Sequence, residues 1–249
     1  MRKARLANLL IDTTDLLTRA MTPEEGWQAV NTVARRIGAN AVNAAALLPG
    51  RMQPVWAWSS MHPDWLEEYT GANLIEVDPL VIGLLAGRTP EVFTTGSHLR
   101  PGEASLRDAQ LVDGLAHFHY NHFCSQTWSE GAVTKLLVLS SDRDPTDLFG
   151  PGTDRALRAV SALLASGVAP PGDLSQDQRF GIDYRALAPR ERDVLCLLAH
   201  GLSDEDIAAG LRLDVASVRL LMKSARRKMG AASREQALAL AMARGLLDL

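Results

Sequence analysis

Little in this 249-residue sequence could anchor or cross-link it. No apolar run approaches the roughly 18 residues that a membrane span requires. The N-terminus opens basic (MRKAR), but Asp12, Thr13, Thr14 and Asp15 interrupt it early, so it reads as an amphipathic helix rather than a signal peptide. There are two cysteines, Cys124 and Cys196, far apart in the chain, which fits buried thiols in a reducing compartment and not a disulfide frame. The expected location is therefore the cytoplasm. No Gly-x-Ser-x-Gly, Walker loop, Rossmann fingerprint or HExxH is present, so no enzyme class is indicated and no cofactor is expected. Internal repeats and low-complexity tracts are missing too.

What the chain does have is concentrated near its end. In Asp214–Met229, Val215, Val218, Met222, Ala225 and Met229 recur at helical spacing and define an apolar stripe. Arg219, Lys223, Arg226 and Arg227 fall on another face, and Asp214 can cap the first turn. A helix that packs on one side and presents cations on another suits a DNA groove. Pro189–Gly201 supplies a preceding amphipathic helix with Gly201 as its stop. Ser203 caps the next helix, and Ser233 with Gln236 starts a fourth. Charge follows the same division. From Tyr184 onward there are 11 Lys+Arg against 8 Asp+Glu; of the chain totals of 26 and 29, this leaves 15 against 21 upstream. The basic excess lies where counterion release would need it.

These residues resemble the LuxR-type helix-turn-helix, with Glu191, Leu195, Gly201, Ile207, Ala208, Val218, Lys228 and Gly230 at the positions where that family keeps such types. The resemblance implies that Asp214–Met229 is the recognition helix, with Arg219, Lys223, Arg226 and Arg227 meeting double-stranded DNA, and that the fourth helix helps form a homodimer. The chain departs from the family at Ser203-Asp204-Glu205-Asp206, which is unusually acidic, at Ala216 in place of a basic residue, and at Leu221 in place of a polar one.

Upstream, residues 5–19 and 23–37 read as helices, the second opened by Thr22-Pro23-Glu24-Glu25. VNAAALL and QPVWAW read as strands. Helices are expected at 63–73, 79–86 and 102–116, strands at 122–127 and 132–140, and a long helix at 154–166. The expected fold is α+β: an antiparallel sheet flanked by helices as an α/β/α sandwich, followed by an all-α four-helix domain. Gly167–Asp183, with its prolines and polar residues, reads as extended and unstructured. The expected division is a ligand-binding domain at 1–167, a linker at 168–183 and a DNA-binding domain at 184–249.

Trp65 and Tyr69 share a helix face, and Asp78-Pro79 follows nine residues later. By pattern alone such residues serve as core and helix cap. Their spacing, however, resembles that of the autoinducer-binding domain of quorum-sensing LuxR-type receptors. That resemblance implies an N-acyl-homoserine lactone or related amphiphile as ligand. Trp65 would donate to the lactone carbonyl, Asp78 would accept from the amide N–H, and Tyr69 would donate to the acyl carbonyl. These roles suit an indole that only donates, a carboxylate that only accepts and a phenol that can donate. Pro79, Phe93, Phe123 and Leu137 would complete the site. Phe93 stands near a usual tryptophan, Leu137 where some members have threonine, and His119 and Phe123 at glycine positions, so the pocket should be narrowed or rerouted.

Two rival readings follow from the residues. The acidic segment suggests a weakly DNA-binding regulator that acts by heterodimerising with another LuxR-type protein. His117, His119 and His122 form an HxHxxH run that a metal could use, but no nearby Cys or carboxylate completes a set, and no metal is expected.

Overall fold

The computed structural model describes residues 2–49, 51–100, 102, 104–131, 133–144, 153–172, 180, 182 and 185–247. The chain forms two compact units, Met1–Gly181 and Ile182–Leu249.

The first unit is a five-stranded antiparallel sheet between two helical layers, in the order β2-β1-β5-β4-β3. Its strands are β1 (Ala41–Leu47), β2 (Trp56–Ser59), β3 (Val92–Thr94), β4 (His122–Glu130) and β5 (Val133–Ser141). Its helices are α1 (Arg2–Arg19), α2 (Pro23–Arg36), α3 (Pro63–Gly71), α4 (Pro79–Leu85), α5 (Leu106–His117) and α6 (Thr153–Ser166). Thr22 caps α2 by accepting from the Glu25 N–H at 3.2 Å. The Glu25 carboxylate reaches back one residue further than a capping box would, to the Met21 N–H at 2.7 Å. Three features differ from the sequence reading. The three-residue β3 and a 3-10 turn at Leu74–Glu76 were not expected, being too short to show a period. Helix α5 starts at Leu106, where Ser105 and Asp108 form a capping box.

The sheet's alternation separates two cores. Asn43, Ala45, Leu136, Val138 and Phe123 share the face covered by α3, α4 and α5. Residues one step out of phase, among them Ala44, Leu137, Leu139 and Cys124, face the other way. On that opposite side Trp58 stacks on Trp27 of α2 at 5.3 Å and donates its indole N–H to the Ala169 carbonyl at 2.8 Å. The Gly172 N–H donates to Glu24 at 3.0 Å. The chain from 168 to 172, expected to belong to the linker, is thus bonded to the first unit. Residues 173–179, 181, 183 and 184 of that segment lie outside the described residues.

The second unit contains α7 (Pro189–Ala199), α8 (Asp204–Leu211), α9 (Val215–Lys228) and α10 (Arg234–Ala243). Val194, Leu195, Ile207, Val218, Ala225, Ala237 and Ala241 are fully withdrawn from solvent and form its core. Gly201 ends α7 at φ +80, with the Leu202 N–H returning to the Leu197 carbonyl at 3.3 Å, a left-handed stop that glycine adopts without strain. Asp214 caps α9 through the Ser217 N–H at 2.7 Å. Ser233 caps α10 through the Gln236 N–H at 3.1 Å.

Candidate functional site

A cavity of about 130 Å³ opens between the sheet and α3–α5, with Trp65, Tyr69, Asp78, Pro79, Phe93 and Phe123 on its wall. Six of the seven ligand residues expected from sequence therefore converge. The seventh, Leu137, does not: it is fully buried on the opposite face of β5, and its neighbours Leu136 and Val138 line the cavity instead. A one-residue step along a strand reverses the side chain, so a match by position alone cannot choose the face.

Asp78 is the N-cap of α4. Its Oδ1 accepts from the Leu80 N–H at 2.8 Å and its Oδ2 accepts from the Tyr69 hydroxyl at 2.8 Å. Burial pushes the Asp78 carboxyl above the usual range, against the bonds from Tyr69, Leu80 and Val81 and the influence of His98. Burial, reinforced by Asp78, raises Tyr69 well above an ordinary phenol. The hydrogen-bond donors to this carboxylate are all neutral, and the one charged influence, that of His98, is the weakest of the causes. Trp65 is buried, with Tyr69 edge-on at 5.8 Å and Phe118 at 6.2 Å. Phe93 and Phe123 face each other across the β3–β4 ladder at 5.8 Å.

Two further residues belong to the site. A Cβ on Gly114 of α5 would lie 2.0 Å from the Trp65 ring, so only glycine leaves room for the indole. A glycine inside an otherwise helical stretch was the available signal. His98, on the loop after β3, also lines the cavity; nothing in its sequence context marks it.

The histidine run does not assemble. His117 ends α5 and is exposed, His119 is exposed beside Asp142 at 3.4 Å, and His122 begins β4. Among the described residues no cluster of His, Cys, Asp and Glu could hold a metal. His119 sits at φ +62, which explains why glycine suits that position, yet its exposed ring does not narrow the cavity; Phe123 does.

In the second unit, Glu191 is buried at the start of α7. It accepts from the Ala188 N–H and the Lys228 ammonium, each at 2.7 Å, tying α7 to the end of α9. Burial raises its pKa, but Lys228, Ala188 and Ser224 outweigh that and hold it below the usual range. The four cations of α9 expected to meet DNA are not equivalent. Lys223 and Arg227 are exposed beside a shallow groove with Leu220, Leu221 and Ser224. Arg219 is bridged to Asp204 at 3.3 Å, and Arg234 reaches the same carboxylate at 3.1 Å. Arg226 is turned inward, donating to the Ala232 carbonyl. Two of the three carboxylates at the start of α8 are accounted for: Asp206 completes a capping box with Ser203, and Asp204 serves two arginines.

Residues 185–241 match the family of bacterial regulatory proteins, luxR family. The chain is similar to the transcriptional activator protein SolR of Ralstonia solanacearum, 23% identical over 227 residues covering 89% of this chain and 91% of SolR. Residues 185–241 thus form a luxR-family domain. Solved structures of the same architecture include SdiA in complex with octanoyl-rac-glycerol, with TM-score 0.53, 17% identity and 98% and 94% of the two chains covered. Another is the N-acylhomoserine lactone dependent LuxR family factor CepR2 from Burkholderia cenocepacia, with TM-score 0.51, 21% identity and 66% and 93% covered. In that domain the family residues have plain physical duties. Leu195, Ile207, Ala208 and Val218 fill the core; Glu191 and Lys228 form the buried ion pair; Gly201 and Gly230 take left-handed turns. No described helix is long and apolar enough to cross a membrane.

Proposed function

We propose that this regulator senses an N-acyl-homoserine lactone or related amphiphile in the cavity of its first unit and binds double-stranded DNA as a cytoplasmic homodimer. The observation that carries the reading is the half-buried, hydrogen-bonded Asp78–Tyr69 pair on an otherwise apolar wall. The ligand's amide N–H replaces the Tyr69 hydroxyl at Asp78, and the freed hydroxyl donates to the acyl carbonyl. One internal bond becomes two to the ligand, so neither group is left unsatisfied. Trp65 donates to the lactone carbonyl while Pro79, Phe93 and Phe123 shape the wall. The cavity is small beside the roughly 300–1,000 Å³ of typical ligand pockets. The ligand therefore widens and completes the core, and its burial stabilises the unit by mass action. Helix α9 lies in the major groove, with Lys223 and Arg227 free to meet phosphate or base, and Arg219 joining them when it leaves Asp204.

Gel shift of the full-length protein with operator DNA, with and without N-octanoyl-homoserine lactone, tests this reading. Ligand-dependent affinity is expected, and Asp78→Ala should weaken lactone binding by about 1.5–3 kcal/mol through loss of a charge-assisted bond. Unaltered lactone affinity in that variant removes Asp78 from the site. The Asp204–Arg219 bridge and the inward Arg226 favour one second reading, a weak DNA binder acting by heterodimerisation with another LuxR-type protein. Absence of a specific complex at low salt would select it.

A further inference from the structure

The segment Thr95–Leu99 that follows β3 is firmly placed. The Thr95 N–H donates to the Asn121 carbonyl at 2.9 Å, and the Thr95 hydroxyl donates to the Tyr120 carbonyl at 2.7 Å. Turns close at Ser97 onto Thr94 and at Leu99 onto Gly96, with Gly96 at φ +78. This loop carries His98 to the cavity, its ring packed on Phe93 at 5.4 Å. Both ring nitrogens are buried, and neither has a hydrogen-bond partner among the described residues. The loop's own bonds hold its backbone, so the imidazole is not needed as a cap or a strut.

A buried imidazole without partners costs the free energy of desolvating its polar atoms. In either protonation state it carries at least one N–H that requires an acceptor. The cavity wall is mostly apolar, and the polar group on it whose charge His98 influences, Asp78, already accepts from Tyr69 and Leu80. The acceptor that satisfies His98 must then come from the occupant, on an atom separate from the donor that Asp78 takes.

We propose that His98 is a second polar anchor, selecting amphiphiles that carry an oxygen substituent, a hydroxyl or carbonyl, in addition to the head group held by Asp78 and Tyr69. The inference rests on the sensor reading given above and narrows its ligand class. A hydroxyl suits the ring best, because it can accept from the N–H or donate to the bare nitrogen. An unsubstituted chain leaves the ring unpaired, and the resulting discrimination is worth roughly 10- to 100-fold.

The test uses the purified full chain and two probes, N-octanoyl- and N-(3-hydroxyoctanoyl)-homoserine lactone, with dissociation constants measured for the native protein and His98→Phe. Phenylalanine keeps the ring contact with Phe93, and a thermal melt of each protein without ligand verifies that the variant is folded. The native protein should prefer the hydroxylated probe by about tenfold or more, and His98→Phe should bind both alike. Equal native affinities overturn the inference and leave the sensor reading intact. A loss in His98→Phe that is the same for both probes also overturns it, because His98 would then hold the shared head group. If neither probe binds the native protein, the sensor reading fails and this inference fails with it.

Discussion

Each unit of the molecule holds a carboxylate at a helix start, and the two are pushed in opposite directions. Glu191 in the second unit meets an ammonium at 2.7 Å and is held below the usual range. Asp78 in the first has a phenol and backbone amides, and burial holds it above. The first is an ion pair that locks α7 to α9. The second is a carboxylate whose remaining acceptor capacity faces a cavity. Pairing with a cation marks a structural group; burial with only neutral donors marks one poised for exchange.

The largest expected effect breaks the cavity without touching Asp78. Gly114→Ala drives a methyl into the Trp65 ring, so the indole or α5 must shift. Overpacking of this kind should cost about 3 kcal/mol and appear as a lowered melting temperature with loss of lactone binding. The same substitution at Gly210, where a Cβ meets only a Leu197 side-chain carbon at 3.9 Å, should be tolerated.

Glu191→Gln comes next. It leaves Lys228 facing a neutral amide, and since Lys228 is partly exposed the cost should fall below the range for fully buried pairs, at about 2 kcal/mol. Urea unfolding followed by a probe in the second unit would read it. The two carboxylates also predict opposite pH trends. Because Glu191's folded pKa is depressed, its contribution is complete above the unfolded value and is lost as pH falls through the folded one. Because Asp78's is raised, its ionisation destabilises the ligand-free first unit as pH rises from the unfolded value through the folded one. Mild acidification should thus weaken the second unit and slightly favour the first. Parallel trends would contradict the contrast.

The smallest effects separate the cations of α9 expected to meet DNA. Lys223→Ala with Arg227→Ala should reduce the salt slope of DNA binding by about two per protomer if both meet phosphate. Arg226→Ala should leave the slope unchanged and lower the melting temperature instead, because its guanidinium holds the Ala232 turn. A slope change in Arg226→Ala alone would reverse this assignment.

The second unit was more legible in the sequence than the first, for a physical reason. Its helices announce themselves locally through Asp214, Ser203, Ser233 and Gly201, whose caps and stops act within a few residues. Its cations also lie on one helix, although the pairing of Arg219 with Asp204 and the inward turn of Arg226 depend on neighbouring elements and were not visible. The cavity draws on α3, α4, α5 and all five strands. Trp65, Tyr69 and Asp78 were legible as a resemblance because they cluster within fourteen residues. Leu137 was placed on the wrong face because strand phase is set by register. Gly114 and His98 reach the site only through tertiary packing.

The central claim is that Asp78 exchanges its internal donor for one from the ligand. Calorimetric titration of N-octanoyl-homoserine lactone into the full chain, across a pH series, tests it most directly. The account predicts affinity that falls as pH drops through Asp78's raised range, and an Asp78→Asn variant whose weaker affinity is flat over the same range. Affinity that ignores both pH and that substitution would contradict it.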